Sequence, residues 1–235
     1  MSAGLALMAP LGWPAVTLAA YAGSAWLYRR GGQHALLLPV LTGTAAVVLV
    51  LSATGTSYAE YFAHARVLYW LVGPATVALA VPLFGQLARL RRLWLPLGVA
   101  LLAGSLTAIV SAVGIAWALG GSPETLRALA PKSATMPIAL AVAERVGGPP
   151  SLAAVAVAVT GIAGAALARG LLDALHIRDA ATRGFALGVA AHAIGTARAL
   201  QAGPVAGAFA ALAMGLNGIA TAVLVPFVMA ALGPP

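Results

Sequence analysis

The residues best suited to chemistry gather in Pro131-Lys132-Ser133-Ala134-Thr135-Met136-Pro137, a polar interruption between long apolar runs. Lys132 is the only lysine in the chain. Pro137 has no backbone N–H and disfavours helical geometry at Met136, so the spacing predicts a helix from about Pro137 to Val146. Ten residues rise about 15 Å, half of a hydrocarbon core about 30 Å thick. The stretch therefore reads as a half-helix whose N-terminal end points into the protein. That end carries unpaired N–H groups and a partial positive charge, and Lys132 adds a full one. With Ser133 and Thr135 beside it, it is a seat for a small carboxylate. The bland alternative places Lys132 at a membrane interface, its ammonium reaching for water.

Other polar groups within apolar runs are few. His192 and Thr196 are four residues apart and share a helix face, while Gly184 and Gly188 form a close-packing edge. Arg198 lies off that face unless Gly195 bends the helix. Either His192, Thr196 and Arg198 face Lys132 and Thr135 as a second polar cluster, or His192 bonds a neighbouring helix and Arg198 anchors at an interface. Thr76, just after Pro74, either caps a second half-helix and offers its hydroxyl to a substrate or bonds back to its own helix. Asn217, the only asparagine, is interhelical glue or a ligand.

The five acids (Glu60, Glu124, Glu144, Asp173 and Asp179) all sit near segment ends. No central carboxylate pair is present to bind sodium or relay protons. Metal-ligand clusters, glycine-rich nucleotide loops and Ser-His-Asp sets are missing, so no metal, cofactor or enzymatic activity is expected. An acid-poor interior suits an anionic substrate.

Positioning these groups requires an all-α, polytopic transmembrane bundle with discontinuous helices. The 235 residues are 62% hydrophobic and 8% charged, against about 25% charged in a soluble domain. The net charge of +8 comes from arginines at segment ends, as the positive-inside rule expects, and is not a nucleic-acid signal. The first run has no basic leader or cleavage site and is expected to stay as an insertion signal. Expected spans are Leu11–Leu27, Ala35–Ala53, Val67–Gly85 with a break at Gly73-Pro74, Trp94–Leu119, Ser151–Leu175, Gly184–Leu200 and Val205–Ala231. Between them lie a polar-aromatic interfacial stretch (Ser57–Arg66), a basic loop (Gln86–Arg92), a short helix from Ser122 to Pro131, a turn at Gly147-Gly148-Pro149-Pro150 and a polar loop (His176–Arg183). Thr160-Gly161-Ile162-Ala163-Gly164 permits close helix approach. The chain reads as a single membrane domain, 1–235. A weak echo between 77–81 and 138–142 allows two inverted repeats, 67–119 and 131–175. Counting positive charges favours a re-entrant half-helix over a spanning one.

Several ordered motifs resemble the CidB/LrgB family. They are Gly73-Pro74-Ala75-Thr76-Val77-Ala78-Leu79-Ala80-Val81-Pro82-Leu83, Pro131-Lys132-Ser133-Ala134-Thr135-Met136-Pro137-Ile138-Ala139, Gly147-Gly148, Thr160-Gly161, Ile177-Arg178-Asp179 with Arg183-Gly184, and His192-Ala193-Ile194-Gly195-Thr196-Ala197-Arg198. The likeness covers about residues 57–230. It departs from the family's Lys-Ser-Val-Thr-Thr-Pro pattern at Ala134 and Met136, and the lost threonine hydroxyl bears on substrate preference. The resemblance implies a multi-pass protein of the bacterial inner membrane, encoded beside a small holin-like partner of the CidA/LrgA type. It implies either transport of small monocarboxylates (glycolate, glycerate, pyruvate or lactate type) or regulation of murein hydrolase activity and lysis with that partner. Self-association is left open.

Overall fold

The computed structural model describes residues 9–32, 34 and 37–231, the side chains of 9–11 and 76 excepted. Ala35, the expected start of the second span, thus lies outside the described residues, as does the side chain of Thr76. The described residues are helices and connecting turns, in two compact units, 1–78 and 79–235. Four stretches among them are long and apolar enough to cross a membrane: Tyr58–Phe84, Leu87–Ala118, Pro150–Ala174 and Pro204–Ala231.

The first unit holds α1 (Ala9–Arg30), α2 (Pro39–Thr54), α3 (Tyr58–Trp70) and α4 (Val72–Ala78). The polar-aromatic stretch is helical because Ser57 caps it, its hydroxyl accepting from the Glu60 N–H at 3.2 Å. Tyr61 pins α3 to α1, edge-on to Trp13 with ring centroids 5.7 Å apart and its hydroxyl 3.0 Å from that of Thr17. The chain breaks at Leu71, and Gly73-Pro74 falls in the first turn of α4, where a missing N–H costs nothing.

The second unit holds α5 (Ala80–Phe84), α6 (Leu87–Ala118), α7 (Pro123–Leu129), α8 (Met136–Arg145), α9 (Pro150–Ala174), α10 (Ala180–Ala202) and α11 (Pro204–Ala231). The basic segment Gln86–Arg92, expected as a loop, belongs instead to α6, which starts at Leu87. Leucine and arginine are strong helix formers, and neither glycine nor proline interrupts 87–95. The Arg89 guanidinium at this helix start, disfavoured by the helix dipole, is held by the Asp179 carboxylate at 2.7 Å.

The half-helix is α8. Thr135 is its extended N-cap residue (φ −65°, ψ 150°) and Pro137 lies in its first turn. Its far end returns to α7. A Cβ on Gly148 would stand 2.6 Å from the Ala128 nitrogen, so backbone meets backbone there and only glycine fits. Helices α7 and α8 thus form a re-entrant hairpin with residues 130–135 at its tip. Span α9 then crosses back to bring Asp179 beside Arg89, so the Arg178/Arg183 loop shares a side with Arg89.

A second interruption lies in the stretch where the sequence points only to a bend at Gly195. At His192 the backbone of α10 takes φ 41° and ψ −129°, a left-handed excursion rare for a residue with a Cβ. The chain then doubles back. A Cβ on Gly195 would strike the Leu187 carbonyl, and Leu187 packs on the cluster of Ala199, Ala206 and Ala210. In a straight helix residues 187 and 199 would stand about 18 Å apart. The bend is therefore at His192, and Gly195 is the residue that lets the two arms touch. A Cβ on Gly184 or Gly188 would run into the carbonyls of Ala206 and Ala210, so α11 starts level with the start of α10 and both arms belong to the arginine-rich face. In this unit two re-entrant hairpins, 123–145 and 180–202, therefore enter from opposite faces.

Candidate functional site: two hairpin tips and a cavity at Lys132

The tips meet through one side chain. Asn217, buried on α11, donates from Nδ2 to the Ser133 carbonyl at 2.9 Å and to the Val189 carbonyl at 3.2 Å. Its Oδ1 accepts from the Ser105 hydroxyl of α6 at 2.7 Å. Unwound backbone inside a membrane needs such partners, since neither lipid nor bulk water reaches it. All three bonding positions used by Asn217 go to protein, which makes it a positioning residue that ties both hairpins to α6 and α11.

Beside this knot lies a cavity of about 710 Å³ whose lining includes Lys132, Ser133, Thr107, Thr182, Asp179 and Phe209. It follows α10 from Asp179 to Ala190, about 16 Å at helical rise. Its outer end is at Asp179, which pairs with Arg89, its inner end is the first hairpin tip, and Pro96, Ala100, Ala103 and Thr107 are exposed along its side. Lys132 is half-buried, and its Nζ lies 3.4 Å from the Ser133 hydroxyl. Among the described residues no carboxylate pairs with Lys132. The arrangement offers an ammonium, a hydroxyl and the N-terminal end of α8 to a small anion. Thr135 makes no side-chain cap bond to its own helix.

Asp179 works at the outer end. Its carboxylate accepts from the Thr182 N–H at 2.9 Å, the Thr182 hydroxyl at 2.8 Å and Arg89. The Thr182 backbone and hydroxyl bonds, then Arg89, hold its carboxyl below the ordinary aspartate range.

His192 and Thr196 sit at the second tip, outside the cavity lining. His192 Nε2 lies 3.0 Å from the Val157 carbonyl, so that nitrogen carries the proton it donates, while buried Nδ1 has no protein partner. A Cβ on Gly161 would lie 2.5 Å from His192 Cε1, and one on Gly164 would lie 2.9 Å from the Ala191 Cβ. The Thr160–Gly164 small-residue run is thus the seat of the second tip. Thr196 donates its hydroxyl to the His192 carbonyl at 2.8 Å. Arg198 is on the returning arm, with Nη1 buried and unpartnered. Lys132 and Ser133 share the cavity, Asn217 bonds the Ser133 backbone, Thr196 pairs with the His192 carbonyl, and the His192 ring pairs with Val157.

A sequence model of the LrgB-like family matches residues 17–231. The chain belongs to the LrgB-like family. Similar proteins include the antiholin-like protein LrgB of Bacillus mycoides (strain KBAB4), 28% identical over 93% of this chain and 95% of the relative. The antiholin-like proteins LrgB of Bacillus cereus (strain B4264) and Bacillus anthracis (strain CDC 684 / NRRL 3495) match with the same identity and coverage. No solved structure matches. In this LrgB-like chain, Ser105, Val157 and Val189 escape a reading of sequence alone. Ser105 had a signal, being one of the few hydroxyls deep in an apolar run, but two backbone carbonyls have none.

Proposed function

We propose that this LrgB-like protein is a secondary transporter of small 2-hydroxy- or 2-oxo-monocarboxylates, of the glycolate, glycerate, pyruvate or lactate type, in the bacterial inner membrane. The observation that carries the reading is the chain's one lysine, set at a re-entrant hairpin tip and lining a cavity between α6 and α10. Lys132 Nζ, the Ser133 hydroxyl and the start of α8 hold the carboxylate, and the Thr135 hydroxyl reaches the substrate's second oxygen. His192 and Thr196 shape the second tip, and Arg198 steers anions. Positive-inside logic makes the arginine-rich face cytoplasmic. On the far side a plug of Ile109, Val113, Leu126, Ala130, Val142 and Val225 closes the path. Alternating access moves the hairpins in turn, as in transporters built from discontinuous helices.

The test is uptake of labelled glycolate or pyruvate into proteoliposomes. Wild type gives saturable uptake, and Lys132→Ala loses it while keeping the fold. Uptake untouched by Lys132→Ala overturns the role of the lysine.

The relatives' names support a second reading more directly than they support transport. As an antiholin-like protein, the chain would act with a small holin-like membrane partner to restrain lysis. That reading expects an effect only when the partner is present, seen as altered dye or ion leakage and not as stereoselective uptake.

A further inference from the structure

The second unit has another cavity, of about 730 Å³, on the opposite face from the outer end described above. Its walls are apolar, including Val110, Trp117, Leu126 and Met229, and two guanidiniums, Arg127 and Arg145, join them. Both arginines stand in the last turns of their helices, α7 and α8. Their depth follows from the hairpin. The α8 start is at the tip, and Arg145 lies ten residues on, about 15 Å toward the surface, which is half the hydrocarbon thickness. Arg127 reaches the same level, its Nη1 lying 3.6 Å from where a Gly147 Cβ would be. Glu124 feels the charge of Arg127, but among the described residues no carboxylate pairs with either arginine.

The walls open sideways. Val110 and Trp117, which line the cavity, are 56% and 72% exposed, on a surface that faces hydrocarbon in a membrane. A soluble anion gains nothing from such walls, whereas a molecule with an anionic head and an apolar tail satisfies both parts at once. An acyl chain leaves hydrocarbon for equally apolar walls without cost, and basic pockets between helices at headgroup level suit lipid phosphates, so the arginines supply the preference. We propose that this cavity binds one anionic phospholipid, its phosphate between Arg127 and Arg145 and an acyl chain along α6 and α11.

The experiment reads retained lipid by native mass spectrometry of the purified protein, released from nanodiscs of phosphatidylcholine alone or with phosphatidylglycerol. The expected result is one phosphatidylglycerol retained in preference to phosphatidylcholine. The double variant Arg127→Gln/Arg145→Gln weakens that retention about 25-fold, from roughly a fivefold effect per basic residue at an anionic lipid. Arg91→Gln/Arg92→Gln, at the other end of α6, leaves it unchanged. Gly114→Phe provides a variant that keeps both charges. Gly114 lines the cavity and a Cβ there meets open space, so the ring fills the tail site without a backbone clash and also abolishes retention. Equal retention of both lipids, or retention surviving Gly114→Phe, overturns the proposal. So does an equal thermal shift with glycerophosphoglycerol, the headgroup without tails, because that would make the site one for a soluble anion.

Discussion

Replacing Asn217 by alanine isolates what holds the two tips together. The change removes three hydrogen bonds, of 2.7, 2.9 and 3.2 Å, and leaves the Ser133 and Val189 carbonyls buried without a donor. Interhelical bonds of this kind in membranes average about 0.6 kcal/mol and reach about 1.7, because the membrane-inserted reference state finds other partners. Three of them give about 2 kcal/mol at the mean and about 5 at the upper end. The lower figure fits Ser105, which loses one partner, and the higher fits the carbonyls, which have no alternative donor nearby. Reversible unfolding in detergent micelles should show Asn217→Ala less stable by about 2 to 5 kcal/mol. Ser105→Ala should cost less, and the double variant should fall short of the sum by at least about 0.5 kcal/mol, as expected for residues in contact. Asn217→Asp keeps the size but offers two carbonyls a carboxylate, and should be at least as damaging. A loss below about 0.5 kcal/mol for Asn217→Ala, with unchanged uptake, would refute the claim that this side chain organises the tips.

Three other outcomes follow from contacts and charge. Gly188→Ala should abolish stable expression, since its Cβ would run into the Ala210 carbonyl, whereas Gly98→Ala, with open space around it, should be neutral or stabilising in a thermal melt. The chain has no cysteine, so a cysteine at Thr107 should react with an impermeant thiol reagent from the arginine-rich face, whereas one at Gly114, whose cavity opens toward hydrocarbon, should not react, read by mass shift in sided vesicles. The Asp179 carboxyl is held below its ordinary value, so the stability it lends is complete above the unfolded value near about 3.9 and is lost as pH falls through the lower folded value. Unfolding at pH 7 and pH 5 should therefore differ little through this group, and Asp179→Asn should destabilise at pH 7 by more than it does as pH falls below the ordinary aspartate value.

Legibility followed local chemistry. Pro137 dictated the half-helix and Ser122-Pro123 the short helix before it, because a missing N–H and a capping hydroxyl act within one turn. Gly161, Gly164, Gly184 and Gly188 announced close packing, and each meets a neighbour as that reading requires. The break at His192 was not legible: no proline or glycine occupies that position, and the fold-back is set by packing of Leu187 against residues that follow it. The site divided the same way. Lys132 and Ser133 were legible as a lone charge and hydroxyl, and the cavity beside them depends on tertiary placement of α6 and α10. Asn217 could be read as polar and rare, but its acceptors are main-chain carbonyls that carry no residue identity.

The order in which these groups leave the ribosome follows from the same knot. Ser133 is made 84 residues before the amide that satisfies its carbonyl, and Val189 is made 28 before it. Neither hairpin arm is long enough to span the bilayer, so both hairpins must stay half-inserted, with carbonyls bare, until Asn217 has been translated. Maturation therefore closes with a single late docking event, and a chain stalled before that residue is the form most exposed to quality-control proteases.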